Sequence, residues 1–293
     1  METPKIAIIG AGPAGIAASI QLKRLGYKPQ LFEKDIAGGL LWNANLIENY
    51  PGFPYGISGP DLIDLMVKQL QQLKIELEQK NINHLSFDDG CFQLYSDKED
   101  TIVDFVVIAS GTKPKPINII IKEPVKKNIH QDIKRILDIK GKHIVIIGAG
   151  DAAFDHAINL SRKNRVSIIN HGDNIRSLQL LVDRAFANEK IAYLGNTEVD
   201  GIDLIYRENY KNEHLVQIHC TNIKGGKFSL ECDEVIFAIG RDPQLDFMGR
   251  VVENDRCILV GDVKNGIFRQ ATIAIGDGIK AAMKIHNQVL ARF

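Results

Sequence analysis

One pattern occurs twice in this chain and limits its fold more than any other feature. Residues 5–9 read Lys-Ile-Ala-Ile-Ile and run into Gly10-Ala11-Gly12-Pro13-Ala14-Gly15. Residues 143–147 read His-Ile-Val-Ile-Ile and run into Gly148-Ala149-Gly150-Asp151-Ala152-Ala153. In each case a β-branched run of strand length meets a glycine turn, then helix-spaced apolar residues reaching Leu25 in one copy and Leu160 in the other. A further short apolar run follows each helix, at residues 29–32 and 165–169, and completes a strand-helix-strand unit. Internal repetition of this kind decides architecture ahead of weaker signals. The chain is therefore expected to be α/β, with two dinucleotide-binding, Rossmann-like domains.

Each unit is followed by a β-meander. Residues 82–87, 91–95 and 102–108 read as strands around the turn Asp88-Asp89-Gly90, and residues 199–206, 215–221 and 227–231 repeat the arrangement around Lys224-Gly225-Gly226-Lys227. The Pro- and Lys-rich residues 112–116 read as a linker, and a second crossing is expected after Ala238-Ile239-Gly240. A short strand at Ile258, Gly261-Asp262, a loop and a long helix from about Gln270 close the chain. These boundaries predict a discontinuous first domain, residues 1–112 and 241–293, with a second, 113–240, inserted in it.

Composition narrows the classes of partner. Lys plus Arg is 36 and Asp plus Glu is 36, so no global positive field draws nucleic acid or an anionic membrane. Apolar stretches such as 105–109 and 144–147 fall far short of the roughly 20 residues of a membrane helix. The N-terminal Met-Glu-Thr-Pro-Lys enters the first strand with no charged leader or cleavage site, so a cytoplasmic location is expected. Four cysteines, Cys91, Cys220, Cys232 and Cys257, are too sparse for a disulfide scaffold, and none sits in a CxxC. The eight histidines show no metal-ligand spacing, and no metal is expected.

The first glycine turn carries the chemistry of a phosphate cradle. Gly10 permits the tight turn, Gly12 lets a pyrophosphate approach the backbone, and Gly15 lets helix and strand pack closely, with the helix N-terminus facing the anion. Glu33, 23 positions beyond Gly10 and at the end of the second strand, supplies a carboxylate for the ribose hydroxyls of an adenosine. Together these residues point to an adenine dinucleotide.

Further motifs, in order along the whole chain, resemble the thioredoxin reductase family of FAD- and NAD(P)-dependent oxidoreductases. They are Gly38-Gly39-Leu40-Leu41, Ile47-Glu48-Asn49-Tyr50-Pro51-Gly52, Ile57-Ser58-Gly59-Pro60-Asp61, Ala109-Ser110-Gly111, Val260-Gly261-Asp262-Val263 and Arg269-Gln270-Ala271. The resemblance implies FAD, held by Gly10, Gly12, Pro13, Ala14, Gly15, Glu33 and Lys34 at the adenosine diphosphate. It implies Gly39, Leu40, Asn49, Ala109, Gly111, Gly261, Asp262, Arg269, Gln270 and Ala271 around the ribityl chain and flavin. Leu40 stands where that family often has glutamine. The closing helix would direct its positive end at the flavin's pyrimidine edge, which favours the reduced, anionic form.

In the second copy, Gly148, Gly150, Asp151, Ala152 and Arg176 would hold NADH or NADPH, with Ala153 an accepted replacement for the third glycine. The family's arginine pair for a 2′-phosphate is absent; residues 170–176 read Asn-His-Gly-Asp-Asn-Ile-Arg, leaving Arg176 alone and Asp173 or Asn170 as contacts for a 2′-hydroxyl. The family's CxxC is also absent, since residues 128–135 read Asn-Ile-His-Gln-Asp-Ile-Lys-Arg. Disulfide exchange requires a thiolate, so ordinary thioredoxin reductase activity is not expected. Cys220 and Cys232 flank a hairpin, and its register decides whether they face each other. Residues 113–142 hold nine Lys or Arg against three Asp or Glu, a patch for an acidic electron carrier or simply a solvated face.

The leading expectation is an FAD-dependent NAD(P)H oxidoreductase that passes electrons to an external small molecule or small redox protein, working as a homodimer as the resemblance implies. One alternative is a ferredoxin- or flavodoxin-linked reductase; relatives of that kind carry a C-terminal extension over the flavin, whereas this chain ends at Phe293. The other is a non-catalytic FAD-binding regulatory protein.

Overall fold

In the computed structural model, which describes residues 3–121, 125–206 and 214–291, the first apolar run forms strand β1 (Ile6–Ile9), followed by helix α1 (Pro13–Arg24) and strand β2 (Gln30–Glu33). Pro13 opens α1, where its missing N–H costs nothing, and Lys23 and Arg24 close it at the negative end of the helix dipole. Helix α2 (Gly59–Gln72), which the sequence reading did not anticipate, begins where Ser58 Oγ accepts a hydrogen bond from Asp61 N. It buries Leu62, Ile63, Met66 and Leu70, one face of a helix.

Strand β3 (Leu77–Gln79) and the meander β4 (Ile82–Asp88), β5 (Cys91–Ser96) and β6 (Thr101–Val103) follow. Asp89 and Gly90 both have positive φ, +46° and +78°, the backbone of a two-residue type I′ hairpin. Residues 102–108, expected as one strand, divide at Asp104, whose carboxylate accepts a hydrogen bond from Lys5 N at 2.8 Å. The part after it is strand β7 (Phe105–Ile108), which leaves the meander for the parallel sheet. The residues expected as a linker begin with strand β8 (Thr112–Pro114).

Next come β9 (Ile120–Ile121), β10 (Ile129–His130), β11 (His143–Ile147), α3 (Asp151–Leu160), β12 (Arg165–Ile169), α4 (Gln179–Phe186) and β13 (Ile191–Leu194). The second meander comprises β14 (Thr197–Tyr206), β15 (His214–Asn222) and β16 (Lys227–Cys232), so Lys227 belongs to a strand and not to the turn. The chain continues through β17 (Glu234–Phe237), β18 (Arg241–Pro243), β19 (Cys257–Leu259) and α5 (Ala271–Ala291). Strands β8 and β18 pair as a two-stranded sheet, so the crossing is a ribbon and not an irregular linker.

Two compact units result: Met1–Trp42, Leu46–Lys113 and Arg241–Phe293 form one, and Asn43–Asn45 with Pro114–Gly240 form the other. In the first, a parallel sheet of order β19-β7-β1-β2-β3 packs through Ala7, Ile9, Val106 and Ile108 on Leu85, Phe92 and Leu94 of the meander. The second has a parallel sheet of order β10-β17-β11-β12-β13. Its strands alternate faces: Ile144 and Ile146 pack with Phe154 of α3, whereas Val145 packs with Val216 and Ile218 of the second meander.

Candidate functional site

In the first unit the glycine turn sits at the C-terminal end of β1, between β7 and β2. Gly10 has φ +104°, and a Cβ there would stand 2.4 Å from the Ala109 carbonyl oxygen. A Cβ on Gly15 would stand 1.8 Å from the carbonyl oxygen of Gly10, so α1 can lie this close to the turn only with glycine. Gly12 differs: a Cβ there meets no protein atom within 4 Å. Gly38 N donates to Ala11 O at 2.8 Å, and Gly39 comes up beside Gly12. Glu33 ends β2 with one carboxylate oxygen accepting from Ala11 N at 2.8 Å and the other from Asp35 N at 3.1 Å. Gly10, Gly12, Gly15, Glu33, Gly39 and Ala109 are thus gathered around one open spot, with Pro13 and Ala14 in the first turn of α1 above it. Lys34 is exposed beside Glu33, and Leu40 lies half-buried in the short helical turn Gly39–Asn43.

The closing segment reaches the same place. A Cβ on Gly261 would stand 2.9 Å from the Ala14 methyl, and Gly261 N donates to Asp277 of α5 at 3.1 Å. Asp277, part of a Gly276-Asp277-Gly278 run that resembles the closing FAD motif of the thioredoxin reductases, also accepts from Asn265, so its carboxylate clamps the loop that presents Asp262. Asn49 Nδ2 donates to Gln270 Oε1 at 2.8 Å, immediately before α5 begins at Ala271. Ser110, next to Gly111, donates to Gln244 O at 2.6 Å. Arg269 donates through both terminal nitrogens to the Arg241 carbonyl at 3.2 Å, while its buried Nε has no partner among the described residues. An orphaned donor of this kind costs about 1–3 kcal/mol unless a ligand accepts from it.

Burial pushes the Asp262 carboxyl above its ordinary range, against the opposing pull of the Arg269 and Arg241 guanidiniums. A carboxylate penalised in this way contributes stability only while protonated, below its unfolded value, and that contribution is lost as pH rises through the raised folded value. Asp262→Asn removes the charge. The ligand-free variant is therefore expected to melt above the wild type at pH 7.5, with the gap closing as pH falls through the raised folded value toward the ordinary aspartate value of about 4. Thermal unfolding across that range checks it, and identical melting temperatures throughout would contradict it.

The second unit repeats the turn. Gly148 has φ +126°, and a Cβ there would stand 2.3 Å from the Ala238 carbonyl oxygen, as Gly10 does to Ala109. Residues 176–178 lie on this turn: Arg176 N donates to Ala149 O at 3.0 Å, Arg176 bridges Gly150, and Leu178 N donates to Asp151 Oδ1 at 2.8 Å. Gly148, Gly150, Asp151, Ala152 and Arg176 are thereby brought together. Asn170, expected as a ribose contact, is only 3% exposed, and its amide nitrogen is spent on Asn174 O and on the Tyr193 hydroxyl of β13. It braces the loop, and of the two candidates only Asp173 remains at the surface.

The cysteines lie apart. Cys220 is opposite Phe228, and Cys232 is opposite Val216. The two share the core-facing side of the sheet but are offset by four residues along it, about 13 Å at strand rise. Burial pushes the Cys220 thiol up to about 11 and the Cys257 thiol up to about 12, and raises Cys232 as well. Residues 128–135 are anchored by Ile133, which is buried with Ile136 against Phe154 of α3. A Ser-His-Asp grouping that no spacing disclosed joins three neighbouring strands: His219 lies 3.1 Å from both Asp203 and Ser229. It is a cross-strand polar ladder. Among the described residues no group of three or more His, Cys, Asp or Glu could hold a metal ion, and no helix is long and apolar enough to cross a membrane.

Comparison with known proteins agrees with this geometry. The family model described as pyridine nucleotide-disulphide oxidoreductase matches residues 4–284. A thioredoxin reductase from Chlamydia trachomatis is 32% identical over 314 aligned positions, covering 97% of both chains. The crystal structure of a Lactococcus lactis thioredoxin reductase matches with a TM-score of 0.88 at 25% identity, over 99% of this chain and 100% of that one. A bacillithiol disulfide reductase from Staphylococcus aureus shares the fold, with a TM-score of 0.76 at 17% identity over 100% of this chain and 99% of its own. The chain belongs to the pyridine nucleotide-disulphide oxidoreductase family and is an oxidoreductase of the thioredoxin reductase type.

Proposed function

We propose that this protein is an FAD-dependent NAD(P)H oxidoreductase that delivers electrons straight from the flavin to an acceptor outside the chain, without a thiol relay. The observation that carries this reading is the pairing of two glycine-turn sites with cysteines unsuited to relay work. Cys220 and Cys232 are offset in register, their thiols are raised by burial, and the segment where relatives of this type carry a dithiol is tied down by Ile133. A thiol held near 11 is almost entirely protonated at neutral pH and is a poor nucleophile.

The residues of the first unit fit FAD. The spot over Gly12 admits a pyrophosphate at the positive end of α1, the Glu33 carboxylate suits a ribose, and the Arg269 Nε donor lacks an acceptor among the described residues. These residues would hold FAD, which when bound would supply two-electron chemistry between a nicotinamide nucleotide and the acceptor, the accompanying proton going to the acceptor or to solvent. Asp262, Asn49 and Gln270 would orient the ribityl chain and flavin edge.

At the second site the absence of the arginine pair, with Asp173 left at the surface as the contact for a 2′-hydroxyl, favours NADH at least as much as NADPH. Anaerobic reduction of the flavin by each nucleotide tests this. Half-saturation by NADH at a concentration no higher than for NADPH is expected; an NADPH preference of about a hundredfold, the worth of a strong charged contact, would overturn it.

Lys115, Lys126, Lys127, Arg135 and Lys140 are exposed on the second unit and support a small redox protein with an acidic face as the acceptor. Residues 122–124 of that basic stretch lie outside the described residues. The homodimer implied by the resemblance would use the first unit, whose α5 exposes Ile279, Met283 and Leu290.

A further inference from the structure

The loop between β12 and α4 is braced at its start by Asn170, whose amide donates to Asn174 O, while its far end supplies no side-chain cap to α4. Residues 170–178 include Gly172 and two asparagines, and the N-cap position of α4 is Leu178, whose side chain cannot cap a helix. That far end is nevertheless fixed, by Ala149, Gly150 and Asp151 of the second glycine turn. Ala149 O accepts from Arg176 N, Gly150 bridges Arg176, and Asp151 Oδ1 accepts from Leu178 N at 2.8 Å. The Asp151 carboxylate therefore stands at the start of two helices at once, as the first residue of α3 and as a cap supplied to α4 from outside it.

An acidic side chain at the N-terminus of α3 is unhelpful to an incoming pyrophosphate, because it occupies the positive end of the helix that the anion would use. Its contact with Leu178 N gives it another role. We propose that Asp151 is a positioning residue of the second nucleotide site: it pins residues 176–178 onto the glycine turn and so shapes the surface, Arg176 included, on which the adenosine half of a nicotinamide dinucleotide rests. The inference builds on the reading of this turn as a nucleotide site. What Asp151 contributes is the acceptor oxygen, not the charge.

That distinction makes the proposal testable on the FAD-loaded protein with ADP-ribose, which carries the adenosine and pyrophosphate but no nicotinamide. Asp151→Ala deletes the acceptor and leaves Leu178 N unpaired; Asp151→Asn keeps an acceptor oxygen and drops the charge. Calorimetric titration is expected to show ADP-ribose bound up to about tenfold more weakly by Asp151→Ala, the upper scale of one neutral hydrogen bond, and binding largely restored in Asp151→Asn. Flavin reduction by NADH should follow suit, with the half-saturating concentration of Asp151→Ala raised and the rate at saturation kept. Three results would overturn the assignment. A lower melting temperature in Asp151→Ala with unchanged ADP-ribose affinity would make Asp151 a helix cap only. Tighter binding by both variants would mean that the charge, not the acceptor, matters. Failure of the wild type itself to bind ADP-ribose would remove the second nucleotide site altogether, and so separates failure of that reading from failure of this one.

Discussion

Gly12→Ala is expected to yield a folded protein that purifies without its flavin. The substitution is conformationally free, because Gly12 has φ −75° and ψ −176°, a backbone open to any residue. It is also sterically free within the protein, since the added methyl meets nothing within 4 Å. Apoprotein stability should stay within about 0.5 kcal/mol of wild type, as for substitutions that touch no packed feature. The methyl instead fills the spot where a pyrophosphate must approach the backbone, so FAD affinity should fall by about a hundredfold or more. Gly15→Ala offers the contrast. Its methyl would stand 1.8 Å from a backbone oxygen, so that variant should lose folding stability together with the cofactor. Thermal unfolding and flavin absorbance measured on both proteins check the pair. A Gly12→Ala protein that is as yellow as wild type would show that the turn is a structural device only.

The second large effect is an expected survival. Replacing all four cysteines should leave flavin reduction by NADH and turnover with an artificial acceptor such as ferricyanide within about twofold of wild type. In a relative that works through a dithiol, the same replacement would abolish disulfide reduction, because the attacking thiolate is gone. Cys220, Cys232 and Cys257 are buried in the cores, so alanine at each is expected to cost stability without touching electron transfer. Cys91, half-buried on β5, is the mildest of the four. A fall in turnover on replacing Cys91 alone would locate a working thiol there and contradict the account.

What could be read from sequence was local. The β1 and β11 runs each lead directly into their own glycine turn, and Glu33 lies 23 positions beyond Gly10, so within each unit the spacing specifies the geometry. The break at Asp104 escaped notice because residues 102–108 look like one apolar run; only the meander's need to end and the sheet's need for a strand divide it. Helix α2 had a readable start in Ser58 and Asp61, three residues apart, ahead of the apolar residues Leu62, Ile63 and Met66. The cofactor side of the first unit was less legible. Asn49 meets Gln270, Gly261 meets Asp277, and Arg269 meets Arg241 through folding, and no periodicity encodes such meetings. Asn170 shows the ambiguity at its sharpest. A polar residue at a strand end reads equally as a ligand or a brace, and the Tyr193 hydroxyl on the neighbouring strand decides for the brace.

The central claim, that electrons pass from flavin to acceptor with no thiol station between, is tested most directly by counting electrons. Anaerobic titration of the purified, flavin-loaded protein with NADH, followed at the flavin absorption band together with a count of free thiols before and after, should reach full bleaching at one nucleotide per flavin with no thiols gained. Uptake of a second equivalent, with two new thiols appearing, would reveal a redox-active disulfide and contradict the account.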